Sequence, residues 1–313
     1  HVAAQAGIAG AEQWVDATTL NNDEALARAA ETCTVFGRVT PEQKRKLVHA
    51  LQSQGHTVAM NGDGVNDVLA LKDADCGIAM ASGAQAASQV AQLVLLDSDF
   101  AALPEVVAEG RRVINNIQRS ASLFLVKNIF SLLLSLVALC LPLAYPFQPL
   151  QLSLLSAVTI GLPSFVLALE PNYERVHGKF MHNVLHAALP GGLTDFLLVF
   201  CAQGFAYAFD LSADALGTIS TLLVLETGLI VLFGVCHPFT PLRWTLWGSC
   251  TILGLGGAVL FAPWLELIPL DLGDTLILVV LAALVLPVLR AATRVVDRLW
   301  QTGRHLRDRR KTT

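Results

Sequence analysis

The chain has 313 residues, of which 54% are hydrophobic and only 15% charged, and its mean hydropathy is +0.56. So little charge excludes an ordinary soluble globular protein and calls for segments that lie in lipid. The formal net charge of −4 averages two unlike halves, and no basic stripe with interleaved aromatics suggests a nucleic-acid partner.

Residues 1–120 read as soluble α/β, whereas residues 121–292 hold most of the long apolar runs. In chain order, Val35-Phe36 is a short apolar run, and Thr40-Pro41-Glu42 is a helix start with a Thr cap and Pro at the first helical position. Leu47, Val48 and Leu51 repeat at helical spacing up to a stop at Gly55. A strand over Thr57–Met60 follows, then a turn with Asp63 and Asp67, a helix to about Ala74 and a strand over Cys76–Met80. Ser82–Ala91 is predicted as a small-residue helix and Leu93–Leu96 as another buried strand. This alternation predicts a parallel sheet covered on both faces, with ligands at the carboxyl ends of its strands.

The turn carries the chemistry. Gly62 and Gly64 let the backbone bend sharply as it leaves the strand. Asp63 and Asp67, four residues apart, then converge on one hard cation such as Mg²⁺ beside a phosphate. Helix capping is the plainer use of such Asp residues, but the flanking strands and Asn66-Asp67 at the helix entrance favour the metal. The six cysteines are scattered with no Cys-x-x-Cys pair, which indicates neither a disulfide framework nor a zinc site.

The segment Met60-Asn61-Gly62-Asp63-Gly64-Val65-Asn66-Asp67, followed by Ala70-Leu71, resembles the hinge motif of the P-type ATPases. These are ion pumps whose phosphorylation domain is a haloacid dehalogenase-like hydrolase. Phe36-Gly37-Arg38-Val39-Thr40-Pro41-Glu42-Gln43-Lys44 fits the same family. The resemblance implies an α/β Rossmann-like partial domain (1–99), a stalk helix (100–120), an all-α six-helix transmembrane bundle (121–292) and a basic tail (293–313). It implies Lys44, Asp63, Asn66 and Asp67 as catalytic residues, with Lys44 on the transferred phosphoryl group and Mg²⁺ on Asp63 and Asp67. Gly62 and Gly64 shape the cofactor-binding turn, and ATP itself is bound mainly by a nucleotide-binding domain.

The first residue is His1, and no Asp is followed by Lys-Thr-Gly, the family's phosphoacceptor motif. The nucleotide-binding domain, the Thr-Gly-Glu actuator loop and the first four spans do not occur either. The chain is therefore expected to be the C-terminal part of a longer pump, partnered by the missing N-terminal half and inactive toward ATP alone.

Six spans are predicted, at about 121–144, 149–169, 189–209, 215–236, 242–262 and 272–292. Each has the roughly 20 apolar residues that cross a bilayer. A helix from Phe100 to Arg119 is expected to run unbroken into the first. Arg175, Lys179, Arg243 and the Arg-rich tail fall on one side, and loops without Lys or Arg on the other. Both ends are thus expected in the cytoplasm of a multi-pass, plasma-membrane protein.

Charges inside a bilayer are costly and usually functional. Lys127, beside Asn128, lies in the first span and Glu226 in the middle of the fourth; they either pair with each other or coordinate an ion. Asp195 is read as a capping or snorkelling residue near the cytoplasmic end of the third span. In the second span, Gly161 and Pro163 loosen the helix and free backbone carbonyls beside Ser156 and Thr159. The stretch resembles the Val-Thr-Asp-Gly-Leu-Pro ion-binding segment of calcium and sodium pumps, with Ile160 in place of the acidic residue and Ser156 in place of Asn. Glu226 occupies a position similar to an ion-binding glutamate of calcium pumps. The resemblance thus implies Ca²⁺ transport. A proton or monovalent-cation pump, or a non-catalytic membrane subunit, is the alternative.

Overall fold

A computed structural model of the chain describes residues 1–141 and 145–311, with side chains through residue 302. Residues 142–144 of the expected first span and 312–313 of the expected tail lie outside the described residues. Two compact units divide near residue 106.

The first unit opens with a one-turn helix α1 (Val2–Gln5) and then alternates strand and helix: β1 (Trp14–Asp16), α2 (Asp23–Thr32), β2 (Val35–Gly37), α3 (Pro41–Ser53), β3 (Ala59–Gly62), α4 (Val68–Asp73), β4 (Cys76–Met80), α5 (Gln85–Val90) and β5 (Leu93–Leu95). All pairings are parallel, as expected, but the strands form two small sheets, β1-β2 and β3-β4-β5. Caps set the helix starts. The Asn22 side chain accepts from the Ala25 amide at 2.7 Å. Thr40 and Gln43 form a reciprocal capping box that satisfies two otherwise orphaned amides. The predicted small-residue helix shrinks to Gln85–Val90, because residues 81–84 form a turn whose Ala84 amide donates to Asp63 O.

Helix α4 holds this unit together. Its Ala70 and Ala74 meet Val48 of α3, while Leu71 packs on Ala79 of β4 and Ala87 of α5. Leu71 is fully buried, which stabilises by about 1.5–3 kcal/mol. Gly77 fits where it does because a Cβ there would stand 2.5 Å from Leu71 O.

Helix α6 runs without a break over Leu103–Cys140, as the expected continuity required. It is followed by α7 (Pro149–Ser156), a π-helical turn (Ala157–Gly161) and α8 (Leu162–Leu169), then α9 (Phe180–Phe209), α10 (Ala213–Cys236), α11 (Pro241–Leu260) and α12 (Leu272–Lys311). Among the described residues, five helical segments are long and apolar enough to cross a membrane: 100–140, 149–169, 180–209, 213–236 and 272–302. The predicted span at 242–262 is a helix, α11, but is not one of the five. Arg243, Trp244, Trp247 and four glycines (Gly248, Gly254, Gly256 and Gly257) dilute its hydropathy.

The core of this unit is built on α10, whose Ile219, Leu223, Leu225 and Leu232 are all buried. They pack in two clusters: Leu225 and Leu232 with Phe130 and Leu155, and Ile219 and Leu223 with Leu281 and Val285. An ion cluster ties helix ends together. Glu170, past the end of α8, accepts from Arg243 Nε at 2.8 and 2.9 Å and from Arg119 Nη1 at 3.0 Å. Asn116 of α6 donates to Glu170 O at 2.8 Å. Arg243, counted as a loop cation in the sequence, is thus a buried partner.

Candidate functional site

In the first unit, β3 ends at Gly62 and the chain turns through Asp63 and Gly64 into a 3₁₀ turn (Val65–Asp67) that opens α4. Gly62 is required here, since a Cβ would stand 2.6 Å from Asp67 Cβ. The close approach folds Asp67 back over the strand end, where it is 6% exposed and accepts from the Gly64 amide at 3.3 Å. Lys44, on the first turn of α3, places Nζ 2.6 Å from Asp67 Oδ1. The Lys44-Arg45-Lys46 run is therefore not a plain solvated face: Lys44 meets Asp67, Arg45 meets Asp73 and Lys46 meets Asp23.

Asp63 and Asn66 are exposed on the same turn. The Asp63 main chain is fixed from the far side by the Ala84 amide at 2.7 Å, and Gly83 packs so close that a Cβ would stand 2.5 Å from Asp63 O. The donor set is two carboxylates, an amide and a primary amine at the carboxyl end of a parallel strand. Such a set suits a hard cation with part of its water shell next to an anionic group.

In the second unit, a small cavity of about 30 Å³ is lined by Lys127, Ser156, Thr159, Asp195 and Gly228 among apolar side chains. That is room for one or two waters, or an ion of that size. Lys127 Nζ donates to Ser156 Oγ at 2.5 Å, and among the described residues it forms no ion pair with Glu226. The Ser156 and Thr159 hydroxyls donate to Leu152 O at 2.5 Å and Leu155 O at 2.7 Å. The π-turn carries Thr159, and such turns recur at functional positions.

One sequence-based expectation needs correction here, and two other predicted residues stand apart from this cavity. Asp195 does not cap a helix end: α9 begins at Phe180, nine residues before the expected span, and Asp195 is 3% exposed in its interior. Glu226 is half-buried and does not line the cavity. Asn128 is exposed on α6 and does not line it either.

A family model for haloacid dehalogenase-like hydrolases matches residues 2–75. The calcium-transporting ATPase CtpE of Mycolicibacterium smegmatis is 46% identical over 267 residues, covering 80% of this chain and 33% of the relative. A probable cation-transporting ATPase, exp7, of Streptococcus pneumoniae is 39% identical over 250 residues, 77% of this chain and 32% of the relative. A P-type sodium-transporting ATPase of Toxoplasma gondii is 41% identical over 151 residues, 48% of this chain and 11% of the relative. The chain spans about a third of the length of the first of these relatives. With a hydrolase-type turn in one unit and apolar helices in the other, this integral membrane chain is homologous over four-fifths of its length to the cation-transporting P-type ATPases.

Proposed function

We propose that this chain is part of an ATP-driven pump that moves a cation, Ca²⁺ first, across the membrane in which its apolar helices lie. The observation that carries the reading is the Lys44–Asp67 contact of 2.6 Å at the strand end, together with 46% identity to a calcium-transporting ATPase.

In this reading Asp63 and Asp67 hold Mg²⁺, which when bound neutralises charge on a phosphoryl group. Lys44 provides a second positive charge. Its Nζ already lies against a carboxylate oxygen, so a small swing exchanges that oxygen for a phosphoryl oxygen without moving α3. Asp67 is held by the close approach of Gly62, and its burial leaves the Lys44 contact only partly open to water, which strengthens it over a fully exposed pair. Gly62 and Gly64 act by giving the turn its shape, and Asn66 by its exposed amide beside the carboxylates. The phosphoacceptor and nucleotide-binding parts belong to sequence outside this chain, so the chain alone is expected to hydrolyse no ATP.

Cation-stimulated ATPase activity of the protein with all of its native sequence tests the reading. Activity that rises with micromolar Ca²⁺ and is lost in Asp63→Asn supports it; activity indifferent to every added cation removes it. Transport of a proton or monovalent cation is the second reading. It is favoured by the Lys127 ammonium in the cavity and by the sodium-transporting relative.

A further inference from the structure

Among the described residues of the second unit, Asp195 is the most deeply buried carboxylate, at 3% exposure. Its Oδ1 has no hydrogen-bond partner among the described residues. An unpaired carboxylate oxygen in an apolar interior is costly, and helix formation alone gives no return for it. Asp195 nevertheless lines the same 30 Å³ cavity as Lys127, Ser156 and Thr159.

The proton directions fix what this cavity offers. Thr159 donates its only hydroxyl proton to Leu155 O, so its oxygen turns lone pairs toward the cavity. Ser156 does the same toward Leu152 O and accepts from Lys127. The cavity therefore presents one carboxylate and two acceptor hydroxyl oxygens, with one ammonium at its side. Hard cations prefer this kind of oxygen set. Gly228 lets α10 close over it, because a Cβ there would stand 2.7 Å from Thr159 Cγ2. Val231 lines both this cavity and an open one of about 550 Å³ that also carries Asn115, Gln118 and Glu174, which gives a polar approach from one side.

The geometry points to Asp195, on α9, as the acidic ligand of a desolvated metal cation in this cavity, with Thr159 Oγ1 and Ser156 Oγ as neutral ligands. The assignment rests on the transport reading above and replaces Glu226 with a residue on a different helix.

Equilibrium binding of ⁴⁵Ca²⁺ and, separately, ²²Na⁺ to the purified protein with all of its native sequence tests it. Wild type should bind one of the two, and the two arms tell a divalent from a monovalent occupant. Asp195→Asn, almost the same shape, should weaken that binding at least tenfold, about 1.4 kcal/mol. Thr159→Val, which removes an oxygen and no charge, should weaken it by about threefold and serves if Asp195→Asn does not fold. Glu226→Gln should stay within about twofold. A wild type that binds an ion while Asp195→Asn and Thr159→Val bind it equally well overturns the assignment and leaves the transport reading standing. A wild type that binds neither ion overturns the assignment and leaves the transport reading to the cation-stimulated ATPase assay.

Discussion

A Cβ placed on Gly228 of α10 would stand 2.7 Å from Thr159 Cγ2 and 3.0 Å from Thr159 Cβ. Thr159 is β-branched and stiff at χ1, and its hydroxyl is tied to Leu155 O, so it has little room to yield. Gly228→Ala is therefore expected to destabilise the second unit by about 1–3 kcal/mol through overpacking. Thermal unfolding in detergent measures it. Thr159→Ser, which removes the offending methyl, should restore most of the loss in the double variant; no restoration would place the strain elsewhere.

Glu170 and Arg243 are both 6% exposed, and Arg119 stands beside them. Removing the single carboxylate leaves two cations without their counter-ion. Glu170→Ala should cost about 3–5 kcal/mol, as for other broken buried pairs. Arg243→Lys should recover little, because one ammonium cannot reproduce the guanidinium's contacts to both Glu170 oxygens and to Pro238 O. Melting temperatures of the two variants side by side check both statements.

Lys44→Ala is expected to lower cation-stimulated ATP turnover of the native-length protein about 10²- to 10³-fold, the usual effect of removing one preorganised electrostatic partner of a reacting group. The Lys44 side chain is 35% exposed, so the first unit should stay folded. A variant that keeps near-wild-type turnover would show that the Asp67 contact is purely structural.

The Asp73 carboxyl is held below its ordinary range chiefly by a hydrogen bond from Arg45, with His49 adding to it. A group with a lowered folded-state pKa stabilises above the unfolded value of about 3.9, and that contribution disappears as pH falls through the folded value. The α3–α4 contact should therefore loosen below about pH 4. Pepsin cleavage within residues 41–73, followed from pH 4.5 down to about pH 2, should accelerate in wild type. In Asp73→Asn it should start faster and change less.

The first unit was largely legible because its signals are local. The cap at Thr40, the stop at Gly55 and the glycines around Asp63 each act over a few residues, and the strands followed at their expected places. The strand Trp14–Asp16 went unseen: three residues with an exposed Trp14 carry no period-two pattern. The cavity was harder because it depends on helix phase. His182, Asn183 and His186 look like loop residues, yet the helix runs through them from Phe180, and this turns Asp195 from an end residue into an interior one. Glu226 lay at the centre of its span by counting, but the face of α10 that meets Thr159 carries Gly228 instead.

The five-residue π-helical turn at Ala157–Gly161 acts as a phase shifter. Each residue of an ordinary α-helix advances the azimuth by about 100°, so the wider turn sets where every later side chain points. Shortening it by one residue would rotate Leu162–Leu169 by roughly that angle. Leu167, now inside, would move to the half-buried place of Val166, and Phe165, now exposed, would turn inward to the place of Ser164. Glu170 would leave the two guanidiniums it meets, so one deleted residue would undo the clamp without touching any of its three charges.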